Sequence, residues 1–148
     1  MDLSPTRVLL VEDNPGDVRL FQEAVRQYGR RIELSVAEDG DTALRMFPRV
    51  APHLVVLDLN MPGMDGHSLL ETLKGTDATN MVPVIVFSSS ENPADVMQSY
   101  EHGANCFLRK PLDLQSMFDM VGEFCRMWLG IALLPDPPSP ARTARPHA

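Results

Sequence analysis

Five short β-branched runs, at 7–11, 32–36, 53–57, 82–87 and 106–109, constrain this chain more than any other feature. Several are continuously hydrophobic rather than alternating, as in Val8-Leu9-Leu10-Val11 and Leu54-Val55-Val56-Leu57. A strand with no polar side is covered on both faces, which is the mark of a parallel sheet between two layers of helices. The stretches between the runs have helical length. In the first, Val18, Phe21, Val25 and Tyr28 recur at three- and four-residue steps and predict one buried stripe. Asn14-Pro15-Gly16-Asp17 and Asn92-Pro93-Ala94-Asp95 mark helix starts: Asn caps, Pro fits the first helical position, and an acid follows where the helix end is positive. Asp113 is placed to cap the last helix in the same way. Five strands alternating with five helices predict a doubly wound α/β fold with a parallel sheet and right-handed crossovers.

Polar residues stand where four of the strands end. The first run ends in Glu12-Asp13, the third in Asp58, the fourth in Ser88-Ser89 and the fifth in Lys110-Pro111. In open α/β sheets the site forms beyond the carboxyl ends of the strands, where strand order reverses. For an order of 2-1-3-4-5 that point lies between the first and third strands, so Glu12, Asp13 and Asp58 are expected to converge. Three carboxylates together repel one another and need a counterion. Mg²⁺ suits them, because it takes hard oxygen ligands and keeps positions for a phosphate-bearing substrate. Mg²⁺ and Lys110 supply three positive charges against three negative ones.

These residues carry a family resemblance. Val8 to Asn14 (VLLVEDN), Leu57 to Gly66 (LDLNMPGMDG), Ser88-Ser89 and Phe107 to Pro111 (FLRKP) resemble the response-regulator receiver family in order and position, over about residues 6 to 129. The resemblance implies the flavodoxin-like receiver fold and a set of roles. Asp58 is the phosphoacceptor. Asp13 and Asp58 bind Mg²⁺, with the backbone carbonyl of Asn60 as a further ligand and Glu12 acting through water. Lys110 pairs with the phosphoryl group and precedes a cis peptide bond at Pro111. Ser88 donates its hydroxyl to the phosphoryl oxygens, and Phe107 stands at the switch aromatic position. Phosphorylation adds about −1.5 to −2 charges; Ser88 then moves, Phe107 swings inward, and the face of the fourth helix, fifth strand and fifth helix changes shape. The donor is a sensor histidine kinase.

The last helix carries two apolar stripes. Leu114, Phe118, Val121, Cys125 and Trp128 form one. Met117, Met120, Phe124 and Met127 lie beside it. Together they exceed the roughly 100° needed for one core face. Either 131–134 folds back over them or, as the patch would otherwise be a liability, Met117, Met120, Phe124, Met127 and Trp128 belong to an interface, a homodimer being favoured over a docking face for the kinase. Ser99-Tyr100-Glu101, Asn105-Cys106-Phe107, Trp128-Leu129 and Leu133-Leu134-Pro135 are similar to the small regulators partnered with bacterial phytochromes, which implies a phytochrome kinase and a dimer.

The formal net charge of −7 argues against nucleic acid as a direct partner. No apolar run reaches the roughly 20 residues that span a bilayer, and 1–6 has no signal-peptide pattern, so a cytoplasmic protein is expected. The expected organisation is an extension at 1–5, a receiver domain at 6–130, and a Pro-rich extension at 131–148 that is disordered from about 136. His53, His67, His102 and His147 lack ligand spacing, and Cys106 and Cys125 are expected to be buried. An aspartyl-phosphate-forming phosphatase is the rival from the enzyme class. It usually carries a second Asp two residues after the nucleophile, where this chain has Asn60. A phosphate sink or shuttle for a bacterial phytochrome kinase is a further alternative to a binding output.

Overall fold

The sheet contains β1 (Thr6–Val11), β2 (Ile32–Ala37), β3 (Leu54–Asp58), β4 (Val84–Ser88) and β5 (Cys106–Arg109). All neighbours pair in parallel, in the order β2-β1-β3-β4-β5. This computed structural model describes residues 4–61 and 65–137. The Pro62-Gly63-Met64 part of the third motif, and the expected disorder beyond 137, lie outside the described residues. The helices are α1 (Pro15–Tyr28), α2 (Gly40–Val50), α3 (Gly66–Gly75), α4 (Pro93–Glu101) and α5 (Leu114–Phe124). Every residue of β3 and β4 is buried, as their unbroken apolar runs require.

The helix starts follow from their caps. Asn14 accepts a hydrogen bond from Asp17 N at 3.1 Å, Asn92 from Ala94 N at 3.0 Å, and Asp113 from Ser116 N at 2.8 Å. Gly29 closes α1 with φ at 81°, a left-handed conformation that glycine adopts without steric cost. In α1, Phe21 and Val25 are buried, while Val18 and Tyr28 pack partly buried at the edge of the same core.

Two cores flank the sheet. One packs α2 and α3 on Leu9, Val11, Val55, Leu57 and Val86. The other packs α1 and α5 on Val8, Leu10, Val56, Ile85 and Phe87. At its centre Phe21, Phe87 and Phe124 meet with ring centroids 5.4–5.8 Å apart, joining α1, β4 and α5.

Gly66 fixes how close α3 comes to the end of β3. A Cβ there would stand 2.4 Å from Leu59 Cα and 2.8 Å from Asp58 O, both backbone atoms that cannot yield. Gly66→Ala is therefore expected to destabilise the chain by about 2–3 kcal/mol through overpacking. A thermal melt checks this, and an unchanged midpoint would contradict the tight approach.

Two expectations are corrected. Among the described residues no peptide bond is cis, so Lys110–Pro111 is trans. In this conformation Lys110 N donates to Ser88 O at 2.8 Å, and the side chain already reaches the strand ends. The two stripes of the last helix are also redistributed. Met117, Val121, Phe124 and Cys125 are buried, whereas Leu114 is 75% exposed. Met117 and Phe124 are thus core residues rather than surface interface residues. The spacing 117-121-124-125 is that of one helical face, and it meets Phe21 and Phe87. After Phe124 the backbone widens into a π-helical segment, Cys125–Ile131, closed by Ala132 N donating to Met127 O. The widened turn rotates Trp128 and Leu129 onto the core edge and leaves Met127 and Ile131 outward.

The fold-back of 131–134 is only partial. Leu134 packs against the second core, while Leu133 is fully outward. Pro137 is buried, and 135–137 lie beside Asp77, Ala78, Met81 and Val82.

Candidate functional site

β1 and β3 are adjacent and end level, with Val11 paired to Leu57. Glu12 and Asp13, which follow β1, and Asp58, the last residue of β3, are therefore forced together. Glu12, Asp13 and Asp58 each bring one carboxylate oxygen to within 4.8 Å of the others. Glu12 is 3% exposed and Asp58 6%, whereas Asp13 faces solvent. Such a set of hard oxygens, partly open to water, fits a divalent cation of the Mg²⁺ or Mn²⁺ kind. Asn60 N donates to Asp58 Oδ1 at 3.1 Å, which leaves Oδ2 as the less committed oxygen.

Lys110 enters from the end of β5. Its Nζ lies 3.0 and 3.1 Å from the two Glu12 oxygens and 3.6 Å from Asp58 Oδ2. It also donates to Asp17 Oδ2 at 3.0 Å. Burial alone would lower this ammonium, but the charges of Asp58 and Glu12 and the bonds to Asp17 and Glu12 outweigh it and hold it above its ordinary value. Burial, and then the Asp58 charge, push Glu12 up to about 8.

Asp17 is the site residue that sequence reasoning missed. Its position in the first turn of α1 explains an acid there without any site, and its backbone N–H does meet the Asn14 cap. Its carboxylate nonetheless meets Lys110. The one available signal was its place a turn beyond Glu12-Asp13, on a helix that begins at the strand end. With Asp17 included, Lys110 is shared among three acids, and the simple balance of three charges against three does not hold.

Ser88 is fully buried at the end of β4, and its Oγ accepts from Ser90 N at 3.1 Å. Phe107 is half-buried against the core of α2 and α3, and its N–H donates to the Tyr100 hydroxyl at 3.1 Å. Lys74, the other lysine, serves only its own surroundings, where its ammonium donates to Asn80 O and Val82 O. The histidines are less scattered than their spacing implies. His67 and His102 meet between α3 and α4 with ring centroids 6.0 Å apart. Cys125 is buried, which pushes its thiol up to about 12, while Cys106 is only half-buried.

On the outer side of β5 and α5, Cys106, Leu108, Met120, Phe124, Met127 and Ile131 line an open apolar groove. Met127 is 51% exposed there, and Met120 and Trp128 are half-buried. Phe124 contributes only an edge, since its ring lies in the core.

Residues 8–122 match the response regulator receiver domain. Over 138 residues the chain is 36% identical to the response regulator Rcp1 of Synechocystis sp., covering 88% of this chain and 94% of that protein. The crystal structure of Mn²⁺-bound Rcp1 superposes with a TM-score of 0.84, covering 88% of this chain and 99% of the other. That of the phosphorylated cyanobacterial phytochrome response regulator RcpA, 34% identical, also gives 0.84, over 89% and 99%. The bacteriophytochrome response regulator AtBRR is 35% identical, with a TM-score of 0.66 over 88% and 98%. An acidic cluster at the β1–β3 crevice, faced by a lysine from β5, is thus found on a chain whose sequence and sheet both match the same group. This chain belongs to the response-regulator receiver family of two-component signalling.

Proposed function

We propose that this chain takes a phosphoryl group onto Asp58 from the phosphohistidine of a sensor histidine kinase, with Mg²⁺ as cofactor. The observation that carries the reading is the meeting of Glu12, Asp13 and Asp58 within reach of the Lys110 ammonium. The Mn²⁺-bound form of Rcp1 supports a divalent cation. Asp13, Asp58 and the Asn60 carbonyl would hold Mg²⁺ directly, and Glu12 through water. The cation supplies positive charge against the oxygens of the transferring group. An Asp58 carboxylate oxygen attacks phosphorus as the P–N bond breaks, and the leaving imidazole nitrogen keeps the bonding pair. Little covalent work falls to the protein; it positions and neutralises. Lys110 shifts from Glu12 and Asp17 towards the new phosphoryl oxygens. Ser88, whose Oγ already accepts from Ser90 N, keeps its own hydrogen to donate.

Phe107 then acts as the switch, turning inward as Ser88 moves, and reshapes the face of α4, β5 and α5. The protein catalyses only its own phosphorylation and dephosphorylation. Its output is altered binding, in a receiver domain of residues 6–130 flanked by extensions at 1–5 and 131–148. RcpA is a phytochrome response regulator and AtBRR a bacteriophytochrome one; their similarity supports a phytochrome kinase as the donor. Among the described residues no helix is long and apolar enough to cross a membrane, and a kinase partner of this kind supports a cytoplasmic location. The net charge of −7 supports a protein partner rather than a nucleic acid.

Incubation with acetyl phosphate and MgCl₂, followed by intact mass, is expected to show one added phosphoryl group in the wild type and none in Asp58→Asn. An added group that persists in Asp58→Asn would move the acceptor elsewhere. The apolar groove of β5 and α5 supports a homodimer through this face, with Met120, Met127 and Trp128 as its contacts. Met127→Asp is expected to halve the mass seen by light scattering while the chain keeps a cooperative melt. An unchanged mass would place any dimer elsewhere.

A further inference from the structure

Ser90 stands two residues after Ser88 and its N–H meets the Ser88 hydroxyl, yet its own hydroxyl is turned to α4. Its Oγ is 2.5 Å from Asp95 Oδ2 in the first turn of α4. A carboxylate can only accept here, so the single Ser90 hydroxyl hydrogen is committed to Asp95 in a short, charge-assisted bond. Asn92 N donates into the same Oγ at 3.1 Å. What Ser90 has left for the site is its backbone N–H, which binds Ser88 Oγ at 3.1 Å.

Asp95 is itself anchored. Its other oxygen faces His67 Nε2 of α3 at 3.4 Å. The His67 side chain is mostly buried, edge-on to His102, whose Nε2 faces Glu71 at 3.9 Å. A chain of contacts therefore runs from α3 through His67, Asp95 and Ser90 to the Ser88 hydroxyl. The favourable place of an acid in the first turn of a helix accounts for a carboxylate at 95. It does not account for the bond to Ser90. That bond, followed by the His67 contact, holds the Asp95 carboxyl below its ordinary value.

We propose that Asp95, oriented by His67, is a positioning residue for the phosphorylation site: it holds the Ser90 hydroxyl towards α4 and thereby sets Ser88 to donate to a phosphoryl oxygen. The inference rests on the reading of Asp58 as phosphoacceptor. Without Asp95 the Ser90 hydroxyl is free to turn away from α4, the loop 88–92 loses its tie to that helix, and the Ser88 hydroxyl is no longer preset.

The test is a double-mutant cycle with acetyl phosphate and MgCl₂. Asp95 is about a third exposed, so its replacement leaves the fold intact. Asp95→Ala is expected to slow phosphoryl addition at saturating acetyl phosphate about tenfold, the scale of a misplaced positioning group. Mg²⁺ affinity by titration calorimetry stays unchanged, because the acidic cluster is not touched. Asp95→Asn, which keeps an acceptor, restores most of the rate, and His67→Gln gives a smaller loss of the same sign. On a Ser90→Ala background, Asp95→Ala adds nothing. If the wild type itself gains no phosphoryl group, both this inference and the phosphoacceptor reading fail. If the wild type is phosphorylated but Asp95→Ala matches it, or if the losses at 90 and 95 multiply, only this inference fails.

Discussion

Phe124→Asp is expected to leave the chain unfolded at room temperature. The last helix reads from sequence as two adjacent apolar stripes, and Phe124 falls in the one assigned to a partner. In the structure it is 3% exposed, with its ring 5.7 Å from that of Phe21 and 5.4 Å from that of Phe87. Truncating such a phenylalanine costs about 3–5 kcal/mol, and placing a carboxylate in the same apolar site adds several more. The sum reaches the whole stability of an ordinary domain, roughly 5–15 kcal/mol. Circular dichroism is expected to show loss of the cooperative melt. Met127→Asp, on the outward side of the same segment, is expected to change stability by only about 0.5 kcal/mol. Equal melts for the two variants would mean that the Phe21–Phe87–Phe124 cluster does not hold α5 in place.

Without divalent cations, stability is expected to fall as the pH rises from about 5 to 8, by on the order of 3 kcal/mol. The cause is Glu12, pushed from its ordinary 4.5 up to about 8 by burial and by the charge of Asp58. The folded chain binds this proton more tightly than the unfolded chain does. The contribution is therefore complete below about 4.5 and lost as the pH climbs through about 8. The capping carboxylates work in the opposite sense but in another window. Asp39, Asp65 and Asp113 are held below their ordinary value of 3.8 chiefly by backbone N–H bonds. Their contribution is present above that value and is lost only as the pH falls beneath it. For a domain of this size 3 kcal/mol corresponds to roughly 6–12 °C in melting temperature. Under the proposed Mg²⁺ site, added Mg²⁺ competes with the Glu12 proton, so the stabilisation it gives is expected to grow between pH 6 and pH 8. Glu12→Gln should flatten the metal-free profile. A metal-free melt of the wild type that does not move between pH 5.5 and 8 would remove Glu12 from the account.

The central strands were legible because each is a local run whose burial on both faces leaves no polar side, and the helix starts because a cap is a contact within three residues. The clustered carboxylates were legible for a related reason. In a parallel sheet with short connections, residues that end adjacent strands have nowhere else to go. Asp17 was not legible, since whether a first-turn acid faces solvent or an ammonium from β5, 93 residues away, depends on packing. His67 and His102 look scattered in the sequence because their 35-residue separation carries no spacing rule; the pairing of α3 with α4 brings them together.

By itself the sequence determined the order of elements, the sheet they form and the acidic end at which chemistry can occur, all of which follow from periodicity, caps and strand ends. Only the tertiary structure decided which apolar stripe of α5 enters the core, where a π-helical turn resets the face, and which acids share Lys110. Those outcomes turn on ångström-scale competition between distant side chains for one volume or one charge, and no local pattern encodes the winner.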